Sequence, residues 1–371
     1  MNPFKYGQVV RGDDFCRRPE LEKNLSDLIK RGQNIYIQGE RRSGKSSLIY
    51  ETVRNLKKQR LIYIDLLETK TSDDFLKRIV TSVITIEHQA GVLNKIFQKL
   101  AYLRPVASID PISGMPTLAL DATVQLKPDS IPGVLDLISS YQLKTKPLVV
   151  VFDEFQDILN LSDYSETLAQ LRSKIQFLSD IPFIFAGSIR NKMNGIFNDP
   201  DSAFFKSAIP LEVGPLKKSL FQTFIAEKFK TGNRKIATDV MNHIFDICFD
   251  VAGDIQQLCG ALWDTTSYEA DMLKEQIPLA LEQIFAHELK GYETTLKIIS
   301  GQQLKFLTGL ARIGGCNPTS SQFLKQSGIA QPSSAKAALK RLLELKILFQ
   351  YEKEYRFVNP FFRAWLLYKK F

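Results

Sequence analysis

The feature that most narrows the possible folds is an eight-residue segment, Gly39-Glu40-Arg41-Arg42-Ser43-Gly44-Lys45-Ser46. It satisfies the pattern G-x-x-x-x-G-K-[ST]. Before it stands Asn34-Ile35-Tyr36-Ile37-Gln38, short, β-branched and aromatic, which reads as a buried strand. After it, Lys45 to Leu56 has helical character. Strand, glycine turn and helix in that order make a phosphate-binding loop. Glycines let the backbone curl so that successive N–H groups face an anion. The helix start adds partial positive charge. Lys45 supplies a mobile point charge for β- and γ-phosphates, and Ser46 a hydroxyl for Mg²⁺. The expected nucleotide set is Gly39, Arg41, Arg42, Ser43, Gly44, Lys45, Ser46 and Ser47, with ATP and Mg²⁺ as cofactors.

A loop of this kind needs an acid at the end of another strand to hold the metal. Leu148-Val149-Val150-Val151-Phe152 leads to Asp153-Glu154. Asp153, with Ser46, is the expected metal pair, and Glu154 the expected general base. Lys45 completes the catalytic set with Ser188, which ends the strand-like Phe183-Ile184-Phe185-Ala186-Gly187 and is the candidate γ-phosphate sensor; a helix N-cap is the alternative role. Arg190 is a candidate sensor or trans contact. Asp65, after Arg60 to Ile64, reads as either a metal neighbour or a turn residue.

Strands expected at 34–38, 60–67, 148–152, 183–186 and 209–213 alternate with helices at 45–56, 72–84, 93–103, 131–141 and 165–178. Apolar runs such as Leu148 to Phe152 suit strands covered on both faces. This predicts an α/β fold with a parallel P-loop core, residues 1–214, carrying a β-hairpin insertion at 104–126. After Pro215, helical patterns at 217–229, 237–249, 255–270 and 277–289 predict a helical lid, 215–298. Helices at 302–312, 320–326 and 333–345, the last N-capped by Ser333 or Ser334, precede a hairpin turning at Glu352-Lys353-Glu354. That is a winged helix-turn-helix pattern over 299–371.

Charge singles out the last segment. Residues 299–371 hold twelve Lys and Arg against three Glu, so the whole formal excess of +9 sits there and the rest of the chain balances. A basic winged helix suits duplex DNA, with Ser334, Lys336, Lys340, Arg341 and Lys353 as candidate contacts; a solvated face or a protein partner stays open. Lysines near phosphates give little sequence preference. The composition is that of a soluble globular chain, and no apolar run is long enough to span a bilayer. Met1 to Val10 lacks a secretory pattern, and Cys16, Cys248, Cys259 and Cys316 are scattered. A cytoplasmic protein with reduced core thiols, no membrane and no protein-only metal site is expected, an oligomer being open.

Taken together, the residues resemble the archaeal-type ATPases of the STAND class, relatives of the AAA+ proteins. The resemblance runs through Asn2-Pro3-Phe4, Val10-Arg11-Gly12-Asp13-Asp14-Phe15-Cys16, the double-arginine P-loop, Asp153-Glu154, Ala186-Gly187-Ser188, and Tyr355-Arg356-Phe357-Val358-Asn359-Pro360-Phe361-Phe362 before Trp365-Leu366. It implies an AAA-like core, a lid and a winged helix, with Val10 to Phe15 against adenine. It further implies a slow ATPase that switches between nucleotide states; a DNA-dependent loader resembling origin-recognition ATPases and a nucleotide-holding docking scaffold are the alternatives. Three positions depart from the family pattern. Gly253-Asp254-Ile255 stands where Gly-x-Pro is expected, Asn359 stands where aspartate is, and Lys206 takes the place of an arginine that would reach a neighbour's γ-phosphate.

Overall fold

The structure is a computed structural model describing residues 1–85, 105–109, 116–120, 125–142, 146–188, 190–267 and 270–369. The helix expected at 93–103 and the terminal Lys370 lie outside the described residues. The chain divides into two compact units, Val9–Gly214 and Met1–Gln8 with Pro215–Phe371. The first eight residues, expected with the core, therefore belong with the C-terminal unit.

The first unit is built on a parallel sheet. Its strands are β1 (Ile35–Gln38), β2 (Arg60–Asp65), β5 (Leu148–Asp153), β6 (Phe183–Gly187) and β7 (Ile209–Glu212), in the order β2-β5-β6-β1-β7. Between β2 and β5 comes an antiparallel pair, β3 (Pro105–Ile109) and β4 (Pro116–Leu120), at the expected hairpin. Helices α1 (Pro19–Lys30), α2 (Lys45–Asn55), α3 (Ser72–Thr85), α4 (Ile131–Ser140), α5 (Tyr164–Ile175) and α6 (Arg190–Phe197) complete it. Two of these, α1 and α6, are additional to the expected elements, although Pro19 in the first turn and Leu21, Leu25, Leu28 and Ile29 at helical spacing mark α1.

Burial on both faces explains the unbroken apolar strands. All six residues of β5 are buried. Alternation sends Val149 and Val151 toward Leu48, Ile49 and Val53 of α2, and Val150 and Phe152 into an opposite layer. That layer is aromatic: Phe152, Phe155, Phe183, Phe185, Phe197 and Phe204 pack in stacked, tilted and edge-on pairs with ring centroids 4.7–6.4 Å apart. Each buried ring contributes roughly 1.5–3 kcal/mol from burial.

The second unit holds α7 (Lys218–Lys230), α8 (Thr238–Ile247), α9 (Ala252–Thr265) and α10 (Ile277–Ile298), then α11 (Gly301–Ile313), α12 (Ser321–Ser327), α13 (Pro332–Glu344), β8 (Leu348–Tyr351), β9 (Glu354–Phe357) and α14 (Pro360–Tyr368). Phe4 packs on Phe229 and Trp263 at centroid distances of 4.8 and 6.4 Å, and the Asn2 amide donates to the Gly260 carbonyl, which is why the first residues join this unit. Ile255 is buried in the first turn of α9. The expected cap of α13 is corrected: Gln331 is the N-cap and Pro332 the first helical residue, leaving Ser333 and Ser334 inside the helix. Its polar face is exposed at Lys336, Lys340 and Arg341, with Ser334 half-buried, while Ala335, Ala338, Leu339 and Leu342 point inward.

A third edge joins the wing where Cys316 bridges Glu354. A Cβ on Gly315 would lie 1.7 Å from the Tyr355 carbonyl oxygen, so this close approach admits only glycine. Cys16, Cys248 and Cys259 are buried thiols, but Cys316 is exposed, because the bridging residue lies on an outer edge. Asn359 caps α14 by accepting from Phe361 and Phe362 N–H at 2.9 and 3.2 Å, and donates to Glu288 Oε2 at 2.6 Å. An aspartate there would set two carboxylates face to face.

Candidate phosphate and metal site

β1 and β5 are separated by β6, so the loop after β1 and the acids after β5 stand about 10 Å apart, two strand spacings, with the end of β6 between them. Side chains from the two strand ends close that spacing, Ser46 reaching Asp153 at 2.7 Å.

On one side lies the loop. Gly39 is forced, since a Cβ would meet the Val213 carbonyl oxygen at 2.5 Å. Gly44, at φ 92°, is the left-handed residue that turns the chain into α2, and nothing lies within 4 Å of where its Cβ would be. Lys45 is only 6% exposed, and its Nζ donates to the Gly39 and Glu40 carbonyls at 3.0 and 2.9 Å. Burial pushes its pKa down, opposed by the charges of Glu154 and Asp153. Ser43 Oγ is buried without a partner, an orphaned hydroxyl inside the loop. Arg41 and Arg42 are exposed. Ser47, expected in the nucleotide set, is buried and its Oγ accepts from Val10 N–H at 3.1 Å. That bond ties the N-terminal segment to α2 and leaves the Ser47 proton available as a donor.

On the other side lie the acids. Asp153 is 8% exposed. Its Oδ2 accepts from Ser46 Oγ at 2.7 Å and from the Tyr63 hydroxyl, and its Oδ1 from Glu154 N–H at 2.9 Å. Burial, then Asp153 itself, pushes Tyr63 far above the ordinary phenol range, so the hydroxyl remains a donor. Arg11, Tyr50 and Tyr63 form a column, the guanidinium 4.5 Å from the first ring centroid and the rings 4.7 Å apart. Glu154 sits at φ 50°, a strained conformation for a side-chain-bearing residue. Its Oε2 accepts from Gln156 Nε2 at 2.5 Å and from Ser188 Oγ at 2.8 Å. A Cβ on Gly187 would lie 2.5 Å from both Gln156 Oε1 and Met193 Sδ, so both side chains would have to shift to admit it.

The fold thus brings Lys45, Ser46, Asp153, Glu154 and Ser188 into one constellation and adds Tyr63 and Gln156, which no local pattern marked. Asp65 is a turn residue, its Oδ1 accepting from Leu67 N–H at 2.9 Å. The side chain of Arg190 lies outside the described residues. Lys206 is exposed and precedes β7, whose Ile209 pairs with Ile35 at the start of β1. It lies at the opposite end of the sheet from the loop, on the order of 13 Å along the strand, lining a cleft of about 460 Å³ with Arg31 and Arg172.

The core has the P-loop ATPase fold. Across the whole chain, the fold is similar to the Walker-type ATPase PABY2304 of Pyrococcus abyssi, with a TM-score of 0.67, 16% identity, and 98% of this chain and 99% of that one covered. It is also similar to the Aeropyrum pernix ORC2 protein in ADPNP–ADP complexes (TM-score 0.55, 14% identity, 99% of each chain). A third likeness is to the Aeropyrum pernix ORC1 protein in complex with DNA (TM-score 0.53, 11% identity, 96% and 94%). Residues 290–368 match the family described as "Probable winged helix domain". No curated protein matches the sequence.

The donor set suits a nucleotide and a hard divalent cation. The loop holds a desolvated ammonium, an orphaned hydroxyl and an open glycine turn. Ser46 Oγ keeps lone pairs for a metal while its proton is donated to Asp153 Oδ2.

Proposed function

We propose that the core binds Mg–ATP and hydrolyses it slowly, as a molecular switch whose nucleotide state governs binding through the winged helix, with duplex DNA as the favoured partner. The observation that carries this reading is the pairing of Ser46 with Asp153 beside a Glu154 held from two sides. Lys45 would exchange its loop carbonyls for the β- and γ-phosphates. Ser46 and Asp153 would hold Mg²⁺, which when bound neutralises phosphate charge. Glu154 would take a proton from the attacking water, and Ser188 and Gln156 keep its carboxylate aimed.

Slow turnover follows from the placement of cations. Lys206 stands at the far end of the sheet, so any service it gives is to a neighbouring copy, and a lysine cannot make an arginine's bidentate contact. The basic excess of residues 299–371, the exposed Lys336, Lys340, Arg341 and Lys353, and the DNA named with the ORC1 structure all favour DNA. A switch of the STAND type is the finer form of the reading, supported by the double-arginine loop and the terminal motif.

The test is the ATPase rate of the full chain with and without duplex DNA at low salt, with Lys45→Ala as the blank. Mg²⁺-dependent turnover that DNA alters several-fold is expected. Equal turnover in the Lys45→Ala protein removes the ATPase, and indifference to DNA removes DNA as the partner.

A further inference from the structure

The chain passes between its two units twice, at Gln8–Val9 and at Gly214–Pro215. On the core side, both crossings are hydrogen-bonded to the phosphate loop or its helix. Val10 N–H donates to Ser47 Oγ at 3.1 Å, and Gly12 N–H to Glu51 Oε2 at 3.2 Å. At the second crossing the link is Arg18. One guanidinium nitrogen donates to the Gly214 carbonyl and the other to the Ser43 carbonyl, each at 2.7 Å.

Arg18 is an unusual residue to bury. It is 7% exposed, and burial pushes its pKa down to about 10, so the cation persists at neutral pH. Among the described residues no carboxylate is hydrogen-bonded to its guanidinium, and Glu22 acts on it only through space. Glu22 spends its oxygens on the Arg17 side chain and on the Arg18 backbone N–H. A guanidinium whose hydrogen bonds go to carbonyls forgoes the close carboxylate contact that normally offsets desolvation.

The geometry supplies the use. In a trans peptide, C=O and N–H point in opposite directions. Gripping the Ser43 carbonyl on one side therefore aims Gly44 N–H the other way, toward the inside of the loop. The same guanidinium fixes the Gly214–Pro215 peptide plane, the last of the core. We infer that Arg18 is a positioning residue that aims Gly44 N–H at bound phosphate and transmits nucleotide occupancy to the Gly214–Pro215 crossing. This rests on the ATP reading of the loop.

The experiment is amide hydrogen exchange on the full chain, with and without saturating Mg–ATP, for wild type, Arg18→Met and Arg18→Lys. In the wild type, ATP protects the peptide spanning Gly39–Leu48 and also the one spanning Val213–Leu220. In Arg18→Met, ATP binds about tenfold more weakly; at saturation the loop is protected but the crossing is not. Arg18→Lys keeps the charge but spans only one carbonyl, so it folds like wild type and also loses protection at the crossing. Wild-type protection of the loop without the crossing overturns the proposal, as does full protection of the crossing in either variant at saturation. Absence of any loop protection in the wild type instead refutes the ATP reading itself.

Discussion

Replacing Glu154 by glutamine changes one property and little else. The carboxylate Oε2 accepts from Gln156 Nε2 and Ser188 Oγ at 2.5 and 2.8 Å, and an amide oxygen accepts both bonds in the same place. Glutamine tolerates φ 50° as glutamate does, so folding stability should hold within about 0.5 kcal/mol. Asp153, Ser46 and Lys45 are untouched, so Mg–ATP affinity should stay within about threefold. The base is gone. General-base assistance is worth about 10²–10⁴ in rate, or about 2.7–5.4 kcal/mol of barrier at 1.36 kcal/mol per decade. Single-turnover hydrolysis of radiolabelled ATP, with protein in excess, measures the chemical step even when turnover is slow. Hydrolysis at an unchanged rate in Glu154→Gln would refute the base assignment. Loss of nucleotide binding would refute the geometry, since it would mean that the carboxylate holds the loop rather than the water.

Other consequences are as direct. Lys45→Ala should weaken ATP by about 10²–10⁴, from two charge-assisted phosphate bonds of about 1.5–3 kcal/mol each, as read by fluorescent-nucleotide titration. In the wild type, burial already lowers the Lys45 pKa and bound phosphate raises it again. The complex then holds more protons than the free protein between the two values, so affinity is complete below the free-state pKa. It falls as pH rises through that window, beginning below the ordinary lysine value of about 10.4, with proton uptake visible by calorimetry in different buffers. Gly315→Ala should cost about 3 kcal/mol or more by thermal or urea unfolding, because the Tyr355 carbonyl that a Cβ would strike is backbone and cannot swing aside. In the full chain, Lys336→Ala with Lys340→Ala should weaken duplex DNA evenly across sequences and flatten the salt slope by about two; an unchanged slope would take α13 out of the DNA contact.

The loop, the Asp153-Glu154 strand end, the hairpin insertion and the winged helix were legible in the sequence because each is local. A glycine turn, a run of apolar residues covered on both faces, or a helical spacing is written in consecutive residues. The missed helix α1 was also written there, in Pro19 and the Leu21-Leu25-Leu28-Ile29 face. The partnerships inside the site were not. Tyr63 meets Asp153 across 90 residues, Ser46 meets it across 107, and Ser188 meets Glu154 across 34. A parallel sheet aligns strand ends whose separation in sequence depends only on the crossovers between them, so the pairing of those ends has no local signature. The tertiary structure alone turned Ser47 toward Val10 and set Lys206 at the far end of β1. It also docked Phe4 on Trp263 and buried Arg18 between the loop and the last carbonyl of the core. The residue types that can bind phosphate are therefore a property of the sequence, while their aim is a property of the sheet order that brings them together.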